Sequence, residues 1–220
     1  YKTYRHWVQA QFEQPWPLRL MGGRTGTGKT DLLLALQQRG VTVVDLEGLA
    51  HHRGSAFGGL GRPPQPSTEH YENRLAEGLD QHRKSGADAI WLEAESIQVG
   101  CCRIPKALFD QMQMAPVLEI QRSLMERVDQ LVGVYGHQGG EGLAEATRRI
   151  SRRLGPQRTA VALKAIEAGD WATACRATLD YYDRCYDHEL ARSPKRRSVD
   201  LTGLTVEQAA EHLIAAGLLV

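Results

Sequence analysis

The eight residues Gly23-Arg24-Thr25-Gly26-Thr27-Gly28-Lys29-Thr30 constrain this chain more than any others. They fit GxxxxGK[ST], the P-loop pattern. Glycines allow the backbone to fold with successive N–H groups pointing inward at phosphate oxygens. Lys29 adds a point charge on the terminal phosphate, and the Thr30 hydroxyl can reach Mg²⁺. The octet follows a short apolar run, residues 18–21, and precedes a helix-spaced run, residues 31–39, with Leu32, Leu33 and Leu36 on one face. Gly40 closes that helix, and residues 41–46 read as a second strand, β-branched and ending in acids. Strand, glycine loop, helix and strand make a βαβ unit, which demands a parallel sheet covered by helices. The predicted phosphate-binding residues are therefore Gly23, Gly26, Thr27, Gly28, Lys29 and Thr30.

The rest of the chain extends this unit. Residues 1–12 carry Tyr4, Trp7, Val8 and Phe12 at helical spacing, stopped by Pro15 and Pro17. Residues 47–66 are rich in glycine and proline and read as a long loop. A helix capped by Ser67 or Thr68 runs to about residue 85. Buried strands are expected at residues 89–92 and 116–120, with helices at 105–112 and 123–135. Gly139-Gly140 marks a break. From residue 141 to 190 the pattern is helical, and the stretch from Trp171 to Arg192 is rich in Tyr and Asp. Residues 198–201 read as a final strand, and Thr205-Val206-Glu207-Gln208 as a capping box opening a terminal helix.

The expected class is α/β: a P-loop NTPase-like parallel sheet flanked by helices, with a C-terminal helical subdomain. The expected divisions are a linker helix at 1–17, the P-loop core at 18–140, an Arg-rich helical subdomain at 141–197, and a strand and helix returning to the core at 198–220.

At 220 residues the chain suits one large domain, or one with a helical appendage. Lys and Arg number 27 against 26 Asp and Glu, so the net charge of +1 neither demands nor excludes nucleic acid. No apolar run approaches the roughly 20 residues of a helical membrane span. Four cysteines without a CxxC pair suit free thiols in a reducing cytosol, so a cytoplasmic protein is expected. The chain opens on Tyr1 rather than Met, and an upstream segment is expected.

Further candidates surround the loop. A P-loop usually has an acid at a neighbouring strand end to hold the Mg²⁺ shell. The acids Asp45 and Glu47 end one expected strand, and Glu93 and Glu95 another. Arg53 can grip a phosphate bidentately, or simply be a surface arginine. Arg148, Arg149, Arg152, Arg153 and Arg158 have no acid among them. They suit a nucleic-acid backbone, a lid over a diphosphate, or a solvated face. Tyr181, Tyr182 and Tyr186 suit base stacking or, at helical spacing, packing.

Together these motifs resemble the P-loop domain of the bacterial tRNA 2-selenouridine synthase family. The resemblance rests on residues 25–30, then Asp45-Leu46-Glu47-Gly48-Leu49-Ala50 and His52-Arg53-Gly54-Ser55-Ala56-Phe57-Gly58. It continues in Tyr71-Glu72-Asn73, in Leu92-Glu93-Ala94-Glu95-Ser96 with Gly100 and Ile104-Pro105, and in Tyr181-Tyr182-Asp183 with Tyr186-Asp187. One departure is Thr27, where the family typically has Ser. The resemblance implies geranylation of wobble 2-thiouridine in the anticodon region of tRNA using geranyl diphosphate. Replacement of the S-geranyl group by selenium from selenophosphate follows, through a cysteine of an N-terminal rhodanese domain. No cysteine here matches that one, so the rhodanese half is expected to be absent, either removed or separately encoded. On this reading Lys29, Arg53 and Asp45 are catalytic, and Thr30 with Asp45 or Glu93 holds Mg²⁺. Arg148, Arg149, Arg152 and Arg153 bind tRNA, and Phe57 lines the prenyl chain. The residues alone leave two rivals open: an ATP- or GTP-dependent small-molecule kinase, and a tRNA-binding module without chemistry of its own.

Overall fold

The first strand explains why the sheet has two covered faces. In β1 (Leu18–Gly22), Leu18 and Leu20 point to one side and Met21 to the other, as the two-residue period of a strand requires. The computed structural model describes residues 1–86, 88–190 and 195–219. Ahead of β1 lies α1 (Lys2–Glu13). After it come α2 (Lys29–Gln37), α3 (Leu46–Ala50), α4 (Thr68–Ser85) and β2 (Ile90–Glu93). A small hairpin, β3 (Gln98–Val99) and β4 (Cys102–Arg103), precedes α5 (Lys106–Met114), β5 (Val117–Gln121) and α6 (Leu124–Tyr135). The helical block is α7 (Gly140–Leu154), α8 (Pro156–Glu167) and α9 (Trp171–Leu190), followed by β6 (Arg196–Asp200) and α10 (Val206–Ala215).

The main sheet runs β2-β1-β5-β6, every pair parallel. Ile90, Leu92 and Val117 join Leu18 and Leu20 in a layer completed by Val8 and Phe12 of α1, Tyr71, Leu75 and Leu79 of α4, and Leu108 of α5. Trp91, Leu118 and Ile120 join Met21 on the other face, covered by Leu32, Leu33 and Leu36 of α2 and Leu213 of α10. The α/β class with helices on both faces is thus observed. The helical block has its own smaller cluster, with Leu143, Ala165, Ile166 and Ala174 packed against Phe57, Tyr135 and Trp171.

Three expectations need correction. Residues 41–46 do not form a strand. They make one parallel bridge, Val43 to Trp91, beyond the β2 edge. The reason is Asp45, whose carboxylate accepts from Gly48 N–H at 2.7 Å and turns the chain into α3. That same helix occupies part of the stretch expected to be loop. The final strand opens at Arg196, two residues before the expected 198, because Val117 pairs with Arg196 at the head of the ladder. The last helix of the block, α9, is described to Leu190, where the helical pattern was expected to end.

Leu213 is fully buried between α10 and the sheet. Leu213→Ala should cost roughly 2–5 kcal/mol through lost transfer energy and a residual cavity. Thermal denaturation should show a fall in Tm on the order of 5–15 °C. A change under 1 °C would mean that α10 is not part of the cooperative core.

Candidate phosphate-binding site

The loop between β1 and α2 is shaped by positions that only glycine suits. Gly23 has φ +145°, and a Cβ there would lie 2.6 Å from the Ile120 carbonyl oxygen of β5. Gly26 has φ +83°, and a Cβ there would lie 2.6 Å from the Arg127 carbonyl oxygen of α6. At Gly23 and Gly26 the loop is pressed against a strand end and a helix, with no room for a side chain. Gly28 caps α2 in the left-handed conformation without a side-chain acceptor. The first N–H groups of α2 are thus not capped by that residue, and they carry the positive end of the helix dipole.

Lys29 is buried, and its Nζ donates to the Gly23 carbonyl at 2.9 Å. The same Nζ lies 4.7 Å from the centre of the Tyr186 ring on α9. Thr27 Oγ1 donates to the Arg24 carbonyl at 2.9 Å. The Thr30 hydroxyl donates to Glu47 Oε2 at 2.9 Å, so the acid that meets it is Glu47. Asp45 and Glu93, the acids expected at a metal, have other partners. Asp45 caps α3, and Glu93 Oε2 accepts from Leu46 N–H at 2.9 Å. Glu93 is completely buried beside Asp45 and Glu47. Burial first, and then those two negative neighbours, push its carboxyl far above the usual carboxylate range. Burial also raises Glu47, although the Lys29 charge and the Thr30 hydroxyl oppose the shift.

The helical block touches the loop through α9. Asp183, Tyr186 and Asp187 stand at i, i+3 and i+4 and so share one face. Arg24 donates to both Asp187 oxygens, at 2.9 and 2.7 Å. Arg127 is buried on α6. Its Nε donates to the Thr25 carbonyl at 2.8 Å, while its outer nitrogens reach both Asp183 oxygens. Neither Arg24 nor Arg127 was expected in the site. The sequence does carry a signal for Arg127, which falls between Leu124 and Leu131 at helical spacing on the apolar stripe of α6. A charge in such a stripe needs a buried partner.

Arg53 stacks 5.5 Å from the Tyr135 ring centre and donates to the Leu60 carbonyl at 3.2 Å, bracing the 53–60 loop. Beside it, burial and the charge of Arg149 lower the pKa of His52. Arg148, Arg149, Arg152 and Arg153 are all exposed on α7, away from its buried face of Leu143, Ala146, Ile150 and Leu154. Arg153 hydrogen-bonds Tyr181, and Arg158 pairs with Asp180 at 3.1 Å. Tyr181 and Tyr182 meet edge to face, and Tyr182 packs near Phe57. Among the described residues no three His, Cys, Asp or Glu side chains converge as a metal cage. Mg²⁺ does not need one, since it keeps waters and uses one or two carboxylates with substrate phosphates. The Thr30–Glu47 oxygen pair beside the loop suits that habit.

Three of the sequence blocks that carry the resemblance therefore converge beside the loop: 45–50 through Glu47 and Leu46, 92–96 through Glu93, and 181–187 through the α9 acids. Residues 16–214 match the family profile described as the tRNA 2-selenouridine synthase AAA domain. The chain belongs to that family. A tRNA 2-selenouridine synthase of Shewanella halifaxensis is 34% identical over 209 residues, covering 82% of this chain and 56% of the relative. One of Marinobacter nauticus is 34% identical over 227 residues, covering 87% of this chain and 60% of the relative. The chain thus spans less than two thirds of these synthases. A solved tRNA delta(2)-isopentenylpyrophosphate transferase of Staphylococcus epidermidis aligns with TM-score 0.45 and 9% identity, over 93% of this chain and 99% of that one. At that level it informs neither fold nor chemistry. No helix among the described residues is long and apolar enough to cross a membrane.

The raised pKa of Glu93 has a consequence for this family member. The folded chain keeps a proton that the unfolded chain loses near the ordinary Glu value of about 4.3. Stability should therefore fall as pH rises above that value toward the folded pKa of Glu93. Glu93→Gln keeps an acceptor for Leu46 N–H and removes the titration. Its Tm should differ less between pH 5 and pH 8 than that of the parent chain. An unchanged difference would show that Glu93 is ionised in the fold.

Proposed function

We propose that this chain is the phosphate-handling part of a tRNA 2-selenouridine synthase, and that it transfers a geranyl group from geranyl diphosphate to the sulfur of wobble 2-thiouridine. In the full protein, selenation from selenophosphate through a rhodanese domain would follow. The observation that carries this reading is the glycine loop bearing Lys29 at the α2 N-terminus, surrounded by the acids, arginines and α9 residues of the family blocks.

The chemistry suits these groups. The C–O bond to the diphosphate breaks, the C–S bond forms, and the N3 proton of the base passes to solvent. Sulfur is already a soft nucleophile, so the protein has mainly to orient the reactants and hold the leaving group. Loop N–H groups and Lys29 take the charge that develops on the diphosphate. Thr30 and Glu47 would hold Mg²⁺, which neutralises further phosphate charge when bound. Arg53, stacked on Tyr135, would stabilise the loop that closes over the substrate. The exposed arginines of α7 would meet the phosphates of the anticodon stem.

Lys29→Ala should lower geranyl transfer to 2-thiouridine tRNA by roughly 100-fold or more, as loss of one charge-stabilising donor does. Mass spectrometry of digested nucleosides reads this directly, and full transfer by the variant would sink the assignment. Arg148→Ala and Arg149→Ala should each weaken tRNA binding. Each should also reduce the slope of log K against log salt by about 0.7–0.9 for every phosphate left unneutralised. Unchanged affinity and slope would move the tRNA site elsewhere.

A further inference from the structure

Behind the phosphate loop lies an apolar chamber that anion binding does not use. It is walled by Leu131 of α6, by Trp171, Ala174 and Tyr182 of α9, and by Phe57 from the long loop. Two of the lining hydroxyls are tied to backbone carbonyls: Thr147 Oγ1 donates to the Leu143 carbonyl at 2.8 Å, and Thr178 Oγ1 to the Cys175 carbonyl at 2.9 Å. Both threonines therefore present methyl groups to the space. One wall residue is Thr25, a member of the phosphate loop itself. Its Oγ1 is buried and has no protein partner. A phosphate site and an apolar chamber thus share a wall, and a ligand that fills both has an anionic head and an apolar tail.

We infer that the chamber receives the hydrocarbon tail of the substrate whose phosphates sit on the loop, and that Trp171 at its far end limits the length of that tail. The inference rests on reading the loop as a diphosphate site. Trp171 also lines a second, outer cleft together with Gly140 and Arg148, so its indole is the partition between chamber and surface. The partition is seated against Gly136, where a Cβ would lie 3.2 Å from the indole. The chamber is about 50 Å³. An apolar cavity that takes one benzene is roughly 150 Å³. A tail of several carbons therefore enters only as α9 and the Phe57 loop part. α9 is held to the loop by the buried Arg127–Asp183 pair as well as by the Arg24–Asp187 pair; the latter, half exposed on both sides and so of little strength, is the tie that gives first.

The test is titration calorimetry of the chain, with Mg²⁺, against inorganic diphosphate and linear allylic diphosphates of five, ten and fifteen carbons. Each buried methylene is worth about a factor of four in affinity. The ten-carbon ligand should therefore bind at least tenfold more tightly than the five-carbon one. Ala174→Phe fills the chamber and should weaken the ten-carbon ligand at least tenfold, leaving inorganic diphosphate within twofold. Trp171→Ala opens the partition and should shift preference toward fifteen carbons. Should Ala174→Phe fail to fold by its melting curve, the Trp171→Ala preference decides alone. Equal binding of all four ligands, equal weakening of all four by Ala174→Phe, or an unshifted preference in Trp171→Ala would each overturn the inference. Geranyl transfer to tRNA without any tail-dependent binding would overturn it while sparing the proposed function. Tail-dependent binding without transfer would do the reverse.

Discussion

A loop that binds phosphate must keep its amides available and its path rigid at the same time. This chain meets that constraint by gripping the loop mainly through its carbonyls. Lys29 holds the Gly23 carbonyl, Thr27 the Arg24 carbonyl, and Arg127 the Thr25 carbonyl. The last grip has a wide effect. A buried guanidinium is tolerable only with a counter-charge, and Asp183 on α9 supplies it. The helical block is therefore electrostatically tied to the loop, and the position of α9 depends on a charge set in α6.

The acids near the loop divide their work by burial. Asp45 stands at the N-terminus of a one-turn helix and caps it. Glu93, deepest of the three, accepts one backbone N–H, and burial and its negative neighbours push its carboxyl far above the usual carboxylate range. Glu47 is left facing Thr30. Three carboxylates this close could not all stay ionised without large repulsion.

Much of this was legible in the sequence, and the reasons are physical. The loop and its flanking elements could be read because glycine spacing and apolar periodicity are local signals. The parallel sheet followed from the βαβ logic. Residues 41–46 misled because β-branched, apolar composition describes a buried extended segment whether it pairs along its length or at Val43 alone. The role of Glu47 over Asp45 depended on a cap that only the fold of α3 reveals. Arg24 has its partner on α9, far along the chain, and one sequence carries no record of such pairing; the place of Arg127 on the apolar stripe of α6 signals a buried charge, but not that Asp183 is its partner. The Tyr and Asp spacing on α9 was visible, but its direction was not.

The place of β6 in the sheet has a kinetic meaning. It pairs with β5, yet all of α6, α7, α8 and α9 lies between the two strands. Closing so long an intervening segment is paid for in chain entropy before the ladder returns any energy. Until β6 and α10 arrive, the β5 edge is bare and the Leu32–Leu36 face of α2 is only partly covered. Bare strand edges template pairing between chains. Docking of β6 and α10 thus seals the sheet edge and the α2 face together, and the chain is most open to misassembly before those two elements dock.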